Sequence, residues 1–179
     1  VQDTQRTELH HLRALIREQH TDTVLMDAAT RRNLELDTGL TGRNEHTLAG
    51  VLDRCATTMG SRLLRRWINR PVRQHATLTE RFGAIEALIR HGSSELREQL
   101  RAIGDLERIL ARSALGSARP RDLAQLRTAL RRLPDLKAAL HIAGAERLST
   151  LACGMGDQTV TLNRLELAII ENPPMLIRD

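Results

Sequence analysis

Tyrosine is absent from this chain of 179 residues, and phenylalanine and tryptophan occur once each, at Phe82 and Trp67. An aromatic-rich β-sandwich is therefore not expected. The apolar residues, 41% of the chain, are mainly Leu, Ala, Ile and Val, which favour packed helices. Lysine is nearly absent too, with Lys137 the only one among 27 basic side chains. It stands between Leu136 and Ala138, so it is not the lysine of a Gly-Lys-Ser/Thr loop that would cradle nucleotide phosphates. The two cysteines, Cys55 and Cys153, lie far apart and in no zinc-ligand spacing. Buried or half-buried thiols are the expectation. No apolar run approaches the ~18 residues of a membrane span, and the N-terminus lacks the apolar core of a signal peptide. A cytosolic location follows as an expectation.

The length suits one compact domain, or at most two small ones, burying roughly 70% of the unfolded surface. The net charge of +5 is modest, and the arginines that dominate it are interspersed with Asp and Glu instead of forming a basic tail. Contact with nucleic acid is permitted by that balance but not demanded.

Apolar residues recur at helical spacing along most of the chain, and the residues between the runs suit helix ends. Leu9, Leu12 and Ile16 mark a first helix. Residues 23–26 read as a short extended connection, and Asp27 caps a helix carrying Ala28, Arg31, Leu34 and Glu35. A polar loop runs from Asp37 to Glu45. Thr47 opens a short helix with Leu48, Val51 and Leu52. Thr57 or Thr58 caps the next, on which Met59, Leu63, Leu64, Trp67 and Ile68 form one stripe ended by Pro71. On that stripe Trp67 is expected to be a core anchor.

Thr77 and Glu80 have the spacing of a capping box, with Leu78, Phe82, Ile85, Leu88 and Ile89 on the inner face of the helix that follows. Gly92 closes it. Ser93 or Ser94 opens a run through Leu96, Leu100 and Ile103, and Asp105 one through Leu106, Ile109 and Leu110. Pro120 suits a first helical turn, and Leu123, Leu126, Leu130 and Leu133 repeat as far as Pro134. Leu136 and Leu140 continue beyond it, and Leu148 and Leu151 mark another short helix. Residues 154–157 read as a joint before a last helix, whose Val160, Leu165, Ile169 and Ile170 are expected to form one stripe lacking its packing partner. The fold class expected is all-α, a multi-helix bundle.

Few motifs carry chemistry. Gly154-Met155-Gly156 lacks both the preceding strand and the third glycine of a dinucleotide loop. His10 and His11 point to different helix faces and have no third ligand at helical spacing. Asp105, Glu107, Arg108 and Arg112 read as ion pairs on a helix surface. No catalytic, cofactor-binding or metal-binding residue is identified. The one candidate surface is electrostatic: Arg62, Arg66 and Arg70 follow one helical face, with Arg73 just past Pro71. With no aromatic evidently available beside them to stack on a base, a solvated or partner-facing surface is preferred to a nucleic-acid site.

Several ordered blocks resemble the core, or lever, domain of the MutS family of bacterial DNA mismatch-recognition ATPases. They are residues 27–36 (DAATRRNLEL), Thr47-Leu48 with residues 51–53, residues 58–67 (TMGSRLLRRW) with Arg70-Pro71-Val72, residues 103–112 (IGDLERILAR) and residues 118–123 (ARPRDL). Residues 171–179 look like the approach to that family's clamp insertion. Residues 140–161 match no block.

The resemblance implies that residues 1–22 end a connector segment. Residues 23–179 would then be the N-terminal half of the lever domain, cut before the clamp, and the chain reads as an excised piece of a longer protein. It implies a non-catalytic lever that couples an ATPase and dimer domain to a clamp on duplex DNA. ATP and Mg would belong to the full-length protein, whose partners would be its other domains, double-stranded DNA and a second copy. The family's Phe-x-Glu mismatch wedge is not matched here, because Phe82 is followed by Gly83-Ala84. The alternative is a free-standing arginine-rich helical module that binds nucleic acid non-specifically.

Overall fold

The computed structural model describes residues 22–174, which form helices and connecting loops with a single isolated β-bridge between Thr23 and Val72. The first-helix reading at Leu9, Leu12 and Ile16, and the histidines at 10 and 11, lie outside those residues. The extended segment 22–27 is tied to the 71–73 turn, where the Val24 N–H donates to the Pro71 carbonyl at 2.8 Å and the Arg73 N–H to that of Asp22 at 2.9 Å.

Short polar side chains set several helix starts. Asp27 accepts from the Thr30 N–H at 2.6 Å and opens α1 (Ala28–Asn33). Thr47 accepts from Gly50 at the start of α2 (Leu48–Leu52), and Thr57 accepts from Gly60 at the start of α3 (Thr58–Asn69). Next comes α4 (His75–His91), which begins two residues before the expected capping box. Its N-cap, Gln74, makes no side-chain cap bond, and the Thr79 hydroxyl donates back to the His75 carbonyl instead. Gly92 ends it at φ 83°, a left-handed conformation that suits a residue without Cβ.

The remaining elements are α5 (Ser94–Ala102), α6 (Leu106–Ala114), α7 (Pro120–Ile142), α8 (Glu146–Gly154) and α9 (Thr159–Ala168). The long helix α7 has Pro120 in its first turn and continues through the expected stop at Pro134, 23 residues in all. An interior proline costs ~3 kcal/mol in helix propensity and one backbone bond. Burial of Leu130, Leu136 and Leu140 on either side of it offsets that cost.

Helices α5, α6, α8 and α9 all pack on α7, while α4 packs on α8 and α2 on α3. The principal core is built from small side chains as much as large ones: Ala84, Ala87, Ala129, Ala143 and Ala152 with Ile103, Leu136, Leu140 and Leu148. Met59 of α3 and Leu88 of α4 pack against it. At the α5–α6 joint, a Cβ on Gly104 would lie 2.1 Å from the Gln125 amide nitrogen of α7, so a side chain there would require the exposed Gln125 to move.

This arrangement corrects three expectations. The inner face of α4 is Ala84, Ala87 and Leu88, while Phe82, Ile85 and Ile89 point to solvent, Phe82 with 64% of its surface exposed. Trp67 is 38% exposed, because its ring meets Arg81 of α4 and not a closed core. The last stripe divides: Leu165 and Ile169 are half-buried, and Val160 and Ile170 are exposed.

Replacing Leu136 with alanine should therefore cost about 2–5 kcal/mol of unfolding free energy, whereas Phe82→Ala should change it by about 0.5 kcal/mol or less. Denaturant midpoints in the opposite order would restore the large-residue face of α4 to the core.

Candidate functional site

Helix α3 projects Arg62 toward the start of α6, where Asp105 is already the N-cap, its carboxylate accepting the Arg108 N–H at 3.3 Å. Arg62 adds a two-pronged contact to that carboxylate, Nη1 to Oδ2 at 2.8 Å and Nη2 to Oδ1 at 2.7 Å. Its Nε and Nη2 also reach Glu107 at 3.1 and 2.6 Å, and the Thr58 hydroxyl donates to Asp105 at 3.1 Å. The Arg62 contacts are chiefly what holds the Asp105 carboxyl far below the usual carboxylate range, aided by the bonds from Arg108 and Thr58. The same carboxylates push the Arg62 guanidinium further up.

The other three arginines are placed differently. Arg66 and Arg73 are exposed, and Arg70 is the exposed C-cap of α3, its N–H donating to the Arg66 carbonyl. Arg62 itself is paired with the protein's own acids. The nearest π-face, that of Trp67, carries the Arg81 guanidinium 3.7 Å from the ring centroid.

Sequence spacing missed the partners in these pairs. Asp105 meets Arg62 across 43 residues and takes only a backbone bond from Arg108. Arg112 meets Asp122 of α7, its Nη1 2.9 Å from both carboxylate oxygens. The Arg119 N–H is the main cause that lowers Asp122, with Arg112 adding to it. Arg65, not singled out by its spacing, pairs with Asp37 at 2.5 Å and lies 3.8 Å from Asp53. Asp53 is lowered chiefly by the Ser61 hydroxyl at 2.9 Å. Acidic residues at or next to helix starts are hard to pair from sequence, because the fold alone decides which arginine arrives.

Cys55 and Cys153 are both free and exposed, against the expectation of buried thiols. Among the described residues no three His, Cys, Asp or Glu side chains gather as metal ligands, and no helix is long and apolar enough to cross a membrane. A groove of about 690 Å³ between α4, α5 and α7 is lined by residues that include Leu88, Leu96, Ala139, Glu95, Arg132 and Asp135. It is open and brings no nucleophile and base together.

Compared with known protein families, residues 29–179 match the model of MutS domain III. The chain belongs to the MutS domain III family. The resemblance carried by the blocks between residues 27 and 123 is thus shown over most of the chain, and with it a place in a DNA mismatch-repair protein, in a domain that is not the catalytic one. The all-helical architecture agrees with that membership. Residues 140–161, in which no family block was legible, fall inside the match and form the end of α7, α8 and the start of α9.

The carboxylates of this MutS domain also fix its response to acid. Asp53, Asp105 and Asp122 are all lowered, so each binds a proton less readily in the folded chain than in the unfolded one. Their stabilisation is complete above the unfolded value near ~3.9 and is lost as pH falls below it. The melting midpoint should be flat between about pH 7 and pH 5 and drop steeply below about pH 4. Asp105→Asn keeps a capping side chain while removing the charge, so its profile should start lower and fall less. Parallel profiles for the two proteins would rule out Asp105 as a contributor.

Proposed function

We propose that this chain is the lever segment of a mismatch-recognition ATPase, a non-catalytic body that couples an ATPase and dimer domain to a clamp on duplex DNA. The observation that carries the reading is the family match over residues 29–179. The shape of α7 agrees with it. A helix of 23 residues spans about 34 Å at 1.5 Å per residue, and four other helices brace it. A body that transmits displacement needs such a continuous element, since packed helices repack between discrete arrangements instead of stretching.

In this reading residues 1–22 end a connector segment and residues 23–179 are the first half of the lever. ATP and Mg are handled elsewhere in the full-length protein. The partners are its other domains, duplex DNA and a second copy, and the setting is the cytoplasm. Arg62, Arg66, Arg70 and Arg73 serve contacts within the protein and general electrostatics, without reading bases. The commitment of Arg62 to Asp105 and Glu107 supports that role. The runner-up, a free-standing arginine-rich module, draws its support from the exposed Arg66 and Arg73.

The two readings separate in one set of assays. As a lever, the chain should neither hydrolyse ATP nor prefer a mismatched duplex over a matched one. Any weak binding to DNA should be insensitive to sequence and fall steeply with added salt. A mismatch preference of about tenfold, ~1.4 kcal/mol, or ATP turnover above a heat-killed control would contradict the lever reading. Tight DNA binding that is abolished by removing the charges of all four arginines would favour the free-standing module.

A further inference from the structure

Arg127 is the most unusual charged residue of the fold. It lies on α7 with only 5% of its surface exposed, and among the described residues it has no carboxylate partner. Its guanidinium donates instead to three successive backbone carbonyls of the chain leaving α9: Nη1 to Ile169, and Nη2 to Ile170 and Glu171 at 3.3 Å each. Its buried Nε has no acceptor. Two more arginines of α7 hold the same piece of chain. Nε of Arg121 donates to the Pro173 carbonyl at 3.3 Å, and Nε of Arg131 to Glu166 at 2.8 Å. The polar attachments of residues 166–173 thus come from one helix and one side-chain type.

Apolar attachment is limited: no residue of α9 is buried and Leu167 is 91% exposed, and within the strap, residues 169–173, Pro173 alone is buried. Leu162, Leu165 and Ile169 are half-buried. The carbonyls past a helix C-terminus carry partial negative charge, and hydrogen bonds from a charged donor are about twice as strong as neutral ones. Closed, the strap shields a cation that would otherwise be orphaned inside the protein. Open, it is replaced by water, which can solvate both the guanidinium and the freed carbonyls. Opening therefore exchanges these bonds for bonds to water, and it also hydrates the Nε that has no acceptor in the closed state.

We propose that Arg127 is a polar latch. With Arg121 and Arg131 it clasps α9 and residues 169–173 onto α7, and this unit detaches as one piece at lower free energy than the core unfolds. The latch rests on the lever reading only for its use: closed, it makes the chain that leaves α9 move with α7, and open, it uncouples the two.

Native-state amide exchange on the 179-residue chain tests this, using wild type, Arg127→Gln, Arg127→Lys and, as a control, Arg90→Gln, which breaks the exposed pair with Glu86. In wild type the amides of α9 and the strap should exchange together and faster than those of α7 and α8. Arg127→Gln should accelerate the α9 group by tenfold or more with α4 and α8 unchanged, and Arg127→Lys by less. Arg90→Gln should leave α9 alone. Wild-type exchange of α9 at the rate of the core, or equal acceleration of every helix by Arg127→Gln or Arg127→Lys, would overturn the latch. If Arg127→Gln does not fold, the wild-type pattern and Arg127→Lys still decide. None of these results bears on ATP turnover or mismatch preference, so the latch and the lever reading fail separately.

Discussion

Close helix packing around Ala129 is the constraint from which the rest of the architecture follows. Ala129, with none of its surface exposed, sits midway along the helix that carries α5, α6, α8 and α9. Alanines at 84, 87, 143 and 152 complete the small-residue part of the core around it. Helices that meet over methyl groups approach near the short end of the usual 8–10 Å range, and such a contact has no room for larger side chains. Large apolar residues are then displaced outward, which is why Phe82, Ile85 and Ile89 lie on the solvent side of α4 and Leu167 on that of α9. An insertion of bulk at these alanines would strain the centre, while loss of bulk at Phe82 would not.

Charge follows the same economy of contacts. Asp105 and Asp122 each satisfy a backbone N–H at a helix start and then receive an arginine from another helix. A carboxylate in such a place gains from the positive end of its own helix as well as from its partner. Some of the chain's arginines are thereby used internally: Arg62 joins α3 to α6, Arg112 joins α6 to α7, and Arg127 joins α7 to the chain beyond α9. A basic composition can therefore arise without a nucleic-acid surface.

Local chemistry was legible in the sequence where it acts over a few residues. Asp27 caps α1 as expected, Thr57 is the cap of the pair Thr57 or Thr58, helices start at Thr47 and Asp105, Pro120 opens α7, and Gly92 closes α4. Long-range competition was not legible. Pro134 should end a helix on propensity alone, and the burial of Leu136 and Leu140 beyond it reversed that outcome. The inner face of α4 was misread because periodicity weighs large residues and passes over alanine. Arg62 was found as part of a surface but not its partners 43 and 45 residues away, and Arg127 gave no signal at all. A buried arginine is spelled like an exposed one, and only the carbonyls brought to it by the fold set it apart.

The proposed lever role requires α7 to be one stiff element through Pro134. Gln125 and Ile142 are both exposed on it and 17 residues apart, so an unbroken helix sets them about 26 Å apart along its axis. Spin labels at these two positions, with Cys55 and Cys153 replaced, would measure that separation by pulsed dipolar spectroscopy. A single narrow distance distribution at the value for a continuous helix is expected. A broad or two-peaked distribution, with a population bent or broken at Pro134, would contradict a rigid α7 and with it the mechanical role proposed for this domain.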